Sequence, residues 1–434
     1  MRRININDAD FAVRFDRIVA DRRETDAGIA ADVRAIIDQV QLKGDAALVD
    51  YTMRYDKHAL TADIASWKIG RDQCKIAYDM LLPDLRAALD LAAARIRAYH
   101  EAQLPQDRDY RDGDNVRLGA RWNAVDAAGL YVPGGRAAYP SSLLMNAIPA
   151  KVAGVERLVV CSPTPKGAMN DLVLASAHLA GVDEIWRIGG AQAVAALAYG
   201  TQRIRPVDVV TGPGNAYVAE AKRQLYGVVG IDMVAGPSEI LVIADEKNDP
   251  DWIAADLLSQ AEHDPSSQSI LITDDNGYAA AVEDAVDVLL SQLKTGPTAT
   301  ESWMQHGVVI VVDDLAAQAP ELANRLAAEH VQIATDEPEA MFAQIRHAGS
   351  VFLGRHTPEA VGDYVAGPNH VLPTGRRARF SSGLSVLDFM KRTSFIALDE
   401  ASLAAIGPAA VALAEMEGLP AHARSVSVRL KGKH

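Results

Sequence analysis

The chain has 434 residues, of which 49% are hydrophobic and 23% charged, and its formal net charge is -14. This length exceeds what one hydrophobic core supports and predicts roughly two to four domains. The acidic balance argues against a nucleic-acid or anionic-membrane partner, since either requires clustered positive charge. Because no apolar run is long enough to span a membrane and no signal-like segment follows Met1, we expect a cytoplasmic protein.

The N-terminal region predicts helices after an irregular start. Apolar residues recur three or four apart in residues 28–57 and 73–103, and Pro83 suits the first turn of a helix. The basic residues near both chain ends are expected to be solvated. The two cysteines, Cys74 and Cys161, have neither disulfide nor metal-pair spacing, so we expect both to be buried as small hydrophobic residues.

The central part predicts parallel α/β structure. Residues 128–132 read as a strand that enters the turn Pro133-Gly134-Gly135, and Pro140 opens a helix. Such a turn favours an anion such as phosphate, although an ordinary βα turn explains the same residues equally well. Two later stretches, 156–190 and 239–274, each repeat strand, helix and strand, which predicts two similar parallel units. Their residue identities barely match, so duplication is only a suggestion.

Three turns of small residues end or precede apolar runs, where open α/β sheets bind ligands. They lie at residues 189–192, 211–217 and 235–239. None of them satisfies the dinucleotide fingerprint GxGxxG, because Tyr217 stands where the third glycine would be. A dinucleotide would therefore bind without the usual fingerprint.

Two pairs of polar residues have spacings that suit chemistry. Gln260 and His263 lie three apart near a predicted helix end, where an amide oxygen and an imidazole can hold half of a divalent metal's coordination shell. Glu329 and His330 follow a helix predicted over residues 315–328 and suit two successive proton transfers better than a shared-proton dyad. For each pair alone, a solvated helix end is the commoner alternative.

The last part of the chain predicts a functional loop and a dependent tail. Residues 362–374 combine glycines and prolines with Asp363, Asn369 and His370, and long structured loops of this kind often carry function. A final helix is expected over residues 403–417, restarting at Pro408, before the alternating residues 425–430. This tail has too little apolar surface to fold alone, so it must dock on another domain or subunit.

From residue 28 to the tail, an ordered set of short motifs resembles the histidinol dehydrogenase family. The motifs are YVPGG (131–135), GGAQ (189–192), GPGNA (212–216), AGPSE (235–239), LSQAEH (258–263), EH (329–330), GDY (362–364), NHVLPT (369–374) and EGLPAH (417–422). Each motif alone is weak, but the ordered set is specific and reverses the commoner alternatives given above.

The resemblance implies an α/β fold with two similar incomplete Rossmann-like domains, a helical N-terminal region and a small C-terminal tail domain in an intertwined homodimer. Residues 1–27 would form an N-terminal arm, and residues 28–130 with 238–375 the first Rossmann-like domain. Residues 131–237 would form the second, NAD-binding domain, and residues 376–434 the tail that docks on the partner subunit.

The resemblance also implies a site. One Zn²⁺ per subunit would be held by Gln260, His263, Asp363 and, from the partner subunit, His422. The substrate pocket would add Ser238, His330, His370 and Glu417 to those four ligands, and NAD would contact Tyr131, Gln192 and Asn215. Asp264 departs from the small residue expected after His263; it would either support a metal ligand or face solvent.

The implied reaction is the NAD-linked four-electron oxidation of L-histidinol to L-histidine through L-histidinaldehyde, the last steps of histidine biosynthesis. His330 would act as base in both oxidations, and Glu329 would activate water between them. A dehydrogenase of another small polyol, such as a sulfonated propanediol, is the first alternative, against which Glu417 favours histidinol. A zinc hydrolase, which would not need NAD⁺, and a non-catalytic metal-binding dimer are weaker alternatives.

Overall fold

The structure, a computed structural model, describes residues 1–21, 27–134 and 139–430. The strands of this part are β1 Arg2–Asn5, β2 Lys68–Ile69, β3 Arg108–Arg111, β4 Arg117–Ala124, β5 Ala127–Tyr131, β6 Arg157–Cys161, β7 Glu184–Trp186, β8 Val209–Thr211, β9 Gly230–Ile231, β10 Glu239–Ala244, β11 Gln268–Thr273, β12 Val308–Val311, β13 His330–Ala334, β14 Ser350–Leu353 and β15 Met390–Ala397.

The α-helices of the same part are α1 Phe11–Ala20, α2 Ala27–Lys43, α3 Asp45–Asp56, α4 Arg71–Asp79, α5 Pro83–Glu101, α6 Pro140–Ala153, α7 Asp171–Ala180, α8 Gly190–Tyr199, α9 Ala216–Leu225, α10 Pro250–Ala261, α11 Asn276–Leu290, α12 Gly296–His306, α13 Leu315–Leu326, α14 Pro338–Phe342, α15 Glu359–Tyr364, α16 Glu400–Met416 and α17 Pro420–Leu430. They and the strands fall into a larger unit, Met1–Gln103 with Asp126–Phe389, and a smaller unit, Leu104–Val125 with Met390–His434.

Sheet I of the larger unit has the strand order β1-β12-β11-β10-β13-β14, and all its pairs are parallel. Strands β10, β12 and β13 are buried along their whole length, as expected for a parallel sheet covered by helices on both faces. Helices α1 and α13 share one hydrophobic core with this sheet, and α10, α11 and α12 share another.

Sheet II of the larger unit has the order β2-β7-β6-β5-β8-β9, with only β2 antiparallel to its neighbour. Helices α2, α8 and α9 contact one another and share a hydrophobic core with the sheet, while α6 contacts β5 and β6. Without the edge strands β1 and β2, both sheets run third, second, first, fourth, fifth in chain order. The prediction of two similar parallel, Rossmann-like units is therefore confirmed.

The N-terminal residues form an ordered strand and helix, although the side chain of Arg2 is exposed as predicted. Strand β1 pairs in parallel with β12, Ile4 is buried, and Phe15 and Ile18 of α1 lie in the core of sheet I. Burial removes the apolar side chains at positions 4, 15 and 18 from water, and this stabilises the packing of the N-terminal residues on sheet I. The predicted arm of residues 1–27 is thus an edge of sheet I as far as residue 21, and residues 22–26 lie outside the described part.

The pairing of β5 also differs from the predicted grouping of residues 28–130 with 238–375. Strand β5 is central in sheet II, and helix α2 packs on that sheet through α8 and α9. A short apolar strand carries no signal for which of two sheets it joins, because that choice depends on long-range pairing. The domain boundaries themselves stay a prediction.

The smaller unit contains an antiparallel sheet, in the order β15-β4-β3, and the helix pair α16 and α17. Helix α16 continues through Pro408 instead of restarting there, and the alternating residues 425–430 belong to helix α17. Gly407 allows the two helices to approach, since a Cβ atom there would lie 3.1 Å from Leu430. Helix pairing thus overrides the weak alternation.

Among the described residues, the structure has no helix long and apolar enough to cross a bilayer. Both cysteines are buried and carry free thiols, as predicted.

Candidate active site

The predicted catalytic residues lie at the edge of sheet I where its strands begin, here called the amino edge of sheet I. Glu239 begins β10 and His330 begins β13, directly beside it. Gln260 belongs to the last turn of α10, the crossover helix that returns from the far end of β10 to the start of β11. Glu329 and His330 therefore enter a strand, and the alternative of a solvated helix end is wrong for them.

His330 is held in one tautomer. Its Nδ1 lies 3.1 Å from the carbonyl oxygen of Glu239, and because a carbonyl only accepts, Nδ1 carries the hydrogen. The lone pair of the neutral ring is then on Nε2, which is buried and has no hydrogen-bond partner in the described part of the chain. Burial lowers the pKa of His330, so the ring is poised as a neutral base.

Glu329 shares the same backbone anchor. Its Oε2 accepts a hydrogen bond of 2.9 Å from the N–H of Glu239 and lies 3.7 Å from Nδ1 of His330. Burial raises the pKa of Glu329 well above its ordinary value, and the nearby carboxylates of Glu239, Asp363 and Glu359 add to this effect. The carboxyl group therefore keeps its proton to a higher pH than an ordinary glutamate does and can exchange it with a neighbour.

Carboxylates and an amide surround the free nitrogen of His330. Its Nε2 lies 3.5 Å from Oε1 of Glu359 and 3.9 Å from Oδ1 of Asp363, and ligand atoms of these three residues all lie within 4.8 Å of one another. Gln260 donates a 2.8 Å hydrogen bond from Nε2 to Glu359. That bond leaves the buried Oε1 of Gln260 without a partner among the described residues.

These donors fit a divalent cation. Burial and the adjacent Glu359 carboxylate raise the pKa of Asp363 to about 8, which marks a strongly negative pocket. An orphaned amide oxygen, carboxylate oxygens and an imidazole nitrogen form the mixed O/N set that Zn²⁺ accepts, with Mn²⁺ or Co²⁺ as close alternatives. The predicted ligands Gln260 and Asp363 thus come together, and the residues present fit the predicted metal.

Two of the predicted substrate residues lie beside this cluster. The Nδ1 of His370 lies 3.1 Å from the carbonyl oxygen of Asp363, and burial, followed by the charge of His330, lowers the pKa of His370 to about 4. Ser238 directly precedes Glu239 and accepts a hydrogen bond from the N–H of Gln268. Asn369, also noted from sequence, instead ties its loop to the carbonyl oxygen of Met145.

The predicted ligand His263 is not part of this cluster. His263 lies beyond the end of α10 and is exposed, although it is near enough for its charge to lower the pKa of both His330 and His370. His422 and Glu417 belong to the smaller unit, where both are exposed. Asp264 is exposed and accepts hydrogen bonds from Ser266, so it stabilises a turn.

Glu359 was missed by the sequence analysis. It is 1% exposed, accepts from Ser259 Oγ at 3.0 Å as well as from Gln260, and lies one helical turn before Asp363 on α15. The spacing of four residues, which puts two carboxylates on one helix face, was the available signal. It was hidden because residues 362–374 were interpreted as an irregular loop.

The predicted NAD-contacting residues lie at the opposite edge of the other sheet, here called the carboxyl edge of sheet II. Tyr131 ends β5, and its hydroxyl accepts a 3.1 Å hydrogen bond from the N–H of Gly190 at the start of α8. Gln192 packs against the same glycine. Asn215 caps α9 by accepting from the N–H groups of Tyr217 and Val218, so its NH₂ group is the part that can donate to a ligand.

A buried ion pair holds Gly212, in the glycine turn before Asn215, by hydrogen bonds to its backbone. Lys222 and Asp232 form an ion pair whose side chains are 2% and 1% exposed. Lys222 donates to the carbonyl oxygen of Gly212 at 3.0 Å, and Asp232 accepts from the N–H of the same residue at 2.9 Å. Helix N-termini that follow tight glycine turns suit a dinucleotide, so this edge fits NAD. Gly135 of the neighbouring turn lies outside the described residues.

Comparison with known proteins agrees with this geometry. The family model described as Histidinol dehydrogenase matches residues 20–430. Histidinol dehydrogenase from Zymomonas mobilis is 60% identical over 422 residues, which cover 97% of each chain, and the Rhodospirillum rubrum enzyme is 59% identical over 428 residues, 99% of this chain and 98% of the relative. The crystal structure of histidinol dehydrogenase from Elizabethkingia anophelis superposes with a TM-score of 0.92 at 34% identity, covering 99% of this chain and 98% of that one. The chain belongs to the histidinol dehydrogenase family.

Proposed function

We propose that this chain oxidises L-histidinol to L-histidine through L-histidinaldehyde, with NAD⁺ as the electron acceptor in both steps. The observation that carries the proposal is the buried Nε2 of His330, which faces two carboxylates at the amino edge of sheet I. A base held in this way can take the proton of an alcohol as the adjacent carbon loses hydride. Family membership supports the substrate.

One Zn²⁺ per subunit would be held by Gln260, His263 and Asp363, together with His422 of the partner subunit. The support is the orphaned amide oxygen of Gln260 and the carboxylate of Asp363, one of three residues whose possible ligand atoms lie within 4.8 Å of one another. When bound, zinc would orient the amino alcohol as a Lewis acid and would favour the ionised forms of the nearby carboxyl groups.

In the first oxidation, His330 Nε2 accepts the hydroxyl proton while the carbinol hydrogen leaves as hydride to NAD⁺, and the aldehyde forms. His330 then releases its proton to solvent. Glu329 in its ionised form takes a proton from water, and the resulting hydroxide adds to the carbonyl carbon to give the hydrate as its monoanion, whose one remaining hydroxyl proton is the proton that His330 accepts next. In the second oxidation, His330 accepts a proton from the hydrate as hydride leaves to a second NAD⁺, and the carboxylate results.

The remaining residues would bind the two substrates. Ser238, His370 and Glu417 would line the histidinol pocket, where the low pKa of His370 makes its ring a neutral hydrogen-bond partner and the carboxylate of Glu417 suits the N–H of an imidazole. Tyr131, Gln192 and Asn215 would contact NAD at the carboxyl edge of sheet II. The proposed location is the cytoplasm, where free thiols such as those of both cysteines persist.

The proposed assembly is a homodimer in which the smaller unit serves the partner's site. The support is the apolar surface of this unit, where Ile396, Leu413 and Met416 are 68%, 65% and 87% exposed. Inactive His263→Ala and His422→Ala subunits, mixed under exchange, should regain activity if the ligands come from different chains. No recovery after verified exchange would favour a site built within one chain.

The first test of the function is NADH formation from L-histidinol by the purified protein, before and after chelation. About two NADH per histidinol, lost on chelation and restored by Zn²⁺, would support the four-electron reaction. One NADH per histidinol with released aldehyde would overturn the second half of the mechanism. A folded, metal-loaded protein that leaves histidinol unchanged would move the substrate to another alcohol.

A further inference from the structure

The backbone of a single residue, Glu239, contacts both catalytic side chains. Its N–H donates to Oε2 of Glu329 at 2.9 Å, and its carbonyl oxygen accepts from Nδ1 of His330 at 3.1 Å. The position of this one residue therefore determines how both side chains are aimed. Its backbone also begins β10 in register with the start of β11, through the hydrogen bond from Gln268 N to Ser238 O.

The side chain of Glu239 forms an ion pair with an arginine that takes no part in the proposed reaction. Arg376 Nη1 lies 3.2 Å from Oε1 of Glu239, and both side chains are 1% exposed. Arg376 also donates to the carbonyl oxygen of Ile18 on α1 and to Oε1 of Gln268 at the start of β11. One buried cation thus joins an N-terminal helix, two strands and the loop that follows Thr374.

Two features of this ion pair argue against a purely stabilising role. Removing two charges from water costs several kcal/mol for each ion, so apolar residues of similar size often stabilise a core at least as well. In addition, Arg376 has a backbone φ of 66°, in the left-handed region that non-glycine residues rarely adopt. Such conformations persist where the surroundings impose them and are concentrated at functional sites.

The distances around His330 indicate what the pair prevents. Its Nδ1 is 3.1 Å from the Glu239 carbonyl oxygen but only 3.7 Å from Oε2 of Glu329. If the backbone of Glu239 shifted slightly, the Nδ1–H group of His330 would donate its hydrogen bond to the Glu329 carboxylate in place of the Glu239 carbonyl oxygen. The two catalytic residues would then be bonded to each other, and the Nε2 lone pair would turn away from its present direction.

We propose that Arg376 and Glu239 are positioning residues for the catalytic pair Glu329 and His330, acting through the backbone N–H and carbonyl groups of Glu239. This inference rests on the proposed function, because it assumes that the aim of the two side chains limits the reaction. A displacement of about 1 Å in a reacting group can cost roughly a hundredfold in rate. The loss should therefore fall mainly on kcat, since the proposed zinc ligands and the residues proposed to contact NAD⁺ stay in place.

The same strand offers a matched control. Asp245 directly follows β10 at its other end and forms two hydrogen bonds of 2.6 and 2.7 Å with Arg355. This pair, too, joins a carboxylate beside β10 to an arginine from a later loop, but it lies at the edge of sheet I away from His330. Asp245→Asn removes a comparable ion pair without touching the peptide that holds the catalytic residues.

The experiment compares Glu239→Gln, Arg376→Lys, Arg376→Met and Asp245→Asn in the zinc-loaded enzyme. We expect Glu239→Gln and Arg376→Met to lower kcat by about 10- to 100-fold, with both KM values within about threefold. Arg376→Lys should restore part of the loss, and Asp245→Asn should lower Tm while kcat stays within about twofold. If Arg376→Met fails to fold, the double variant Glu239→Gln/Arg376→Met leaves no unpaired buried charge and replaces it.

An activity-independent reading comes from ¹⁵N histidine NMR, with the His330 signals assigned through His330→Asn. We expect the Nδ1–H tautomer in the wild type and a mixed or charged ring in Glu239→Gln. Unchanged kcat and an unchanged tautomer in the folded variants would overturn the proposal, as would a loss no larger than that of Asp245→Asn. A wild type that does not oxidise histidinol would instead overturn the proposed function, and the NMR comparison would still test the positioning.

Discussion

Sheet I and sheet II share one strand order, yet their candidate sites lie at opposite edges. Sheet I uses the edge where its strands begin, at Glu239 and His330, whereas sheet II uses the edge where its strands end, at Tyr131 and the turns before α8 and α9. The topology is therefore not what assigns the chemistry. Residues at the strand ends decide it, as expected when one fold carries different sites.

The helix N-caps explain why only sheet II suits a dinucleotide. Helices α10, α11 and α13, which follow strands of sheet I, begin after Asp249, Asp275 and Asp314, and each aspartate accepts hydrogen bonds from its own helix. The negative charges of these caps repel phosphate. The corresponding caps of α8 and α9 are the uncharged residues Gly189 and Asn215.

The amino edge of sheet II, where its strands begin, carries ion pairs. Arg157 and Glu184, which begin β6 and β7, pair at 2.8 Å with only 14% of either side chain exposed. Lys151 and Asp183 form a second pair at 2.8 Å beside them. At the amino edge of sheet I, the buried imidazole of His330 keeps one nitrogen without a hydrogen-bond partner in the described residues. One edge is thus saturated with ion pairs, and the other retains reactive groups.

The largest effect is expected when the base at the amino edge of sheet I is removed. His330→Ala should lower the rates of both oxidations by about 10²–10⁴-fold, because both steps transfer a proton to the same nitrogen. Single-turnover measurements that start from histidinol and, separately, from the aldehyde would check this. His178→Ala, which changes an exposed histidine on helix α7, should leave both rates unchanged. A loss confined to one step for His330→Ala would contradict the mechanism.

The two neighbours at the amino edge of sheet I can be separated by a second substitution. Glu329→Gln should slow oxidation of the aldehyde at least about tenfold more than oxidation of the alcohol, because only the aldehyde must first be hydrated. The same two single-turnover assays measure it. Glu337→Gln, at an exposed position after β13, is the matched control. Equal losses in both steps would remove the division of labour.

The carboxyl edge of sheet II should respond through cofactor binding. Asp232→Asn weakens the buried anchor of Gly212, and we expect KM for NAD⁺ to rise about tenfold or more, since a charge-assisted hydrogen bond contributes about 1.5–3 kcal/mol. The value of kcat at saturating NAD⁺ should change far less. Asp208→Asn, which removes the charge from the acceptor of a 2.9 Å hydrogen bond donated by Ala127 N at the other edge of the same sheet, should leave this KM unchanged. The reverse pattern would place the cofactor elsewhere.

The smallest effect is expected at the unused edge of sheet I. Hydrogen bonds from Arg355 and Lys247 lower the pKa of Asp336 from 3.8 to about 2. Because the folded-state pKa is depressed, this ion pair stabilises the fold above about pH 4 and is lost as the pH falls toward 2. Urea midpoints between pH 6 and pH 3 should fall slightly less steeply for Asp336→Asn than for the wild type, while kcat stays unchanged. Identical slopes would show that the exposed pair contributes nothing.

Local patterns were sufficient for most of the helices and strands. The buried runs of β10, β11 and β12 and the periodic helices α2, α5, α7 and α13 follow from hydrophobic spacing, which is strong where one face or both must be covered. Wrong or incomplete predictions concern short or polar pieces. Strand β1 is recognisable only once β12 lies beside it, and α17 depends on its contact with Gly407 of α16.

The residues of the candidate site also fall into two groups, those that local motifs predict and those that only the structure brings together. Ordered motifs identified Glu329, His330, Gln260 and Asp363, because the residue types that chemistry requires stay next to one another in the chain. They did not reveal Glu359, which meets Gln260 across a sequence separation of 99 residues. Nor did they reveal the pair of Glu239 and Arg376, whose atoms come together only when β10 and the loop after Thr374 are in place.

The α/β class and the family follow from the sequence alone, and the sequence also predicts which residues are chemically active, since these properties depend on composition, periodicity and local order. The tertiary structure was needed to show at which edge of each sheet the candidate site residues lie, which tautomer His330 adopts and which backbone carbonyl group orients it. These properties depend on distances between segments that lie tens to hundreds of residues apart. Such distances are set by strand pairing and burial, and no local pattern encodes them.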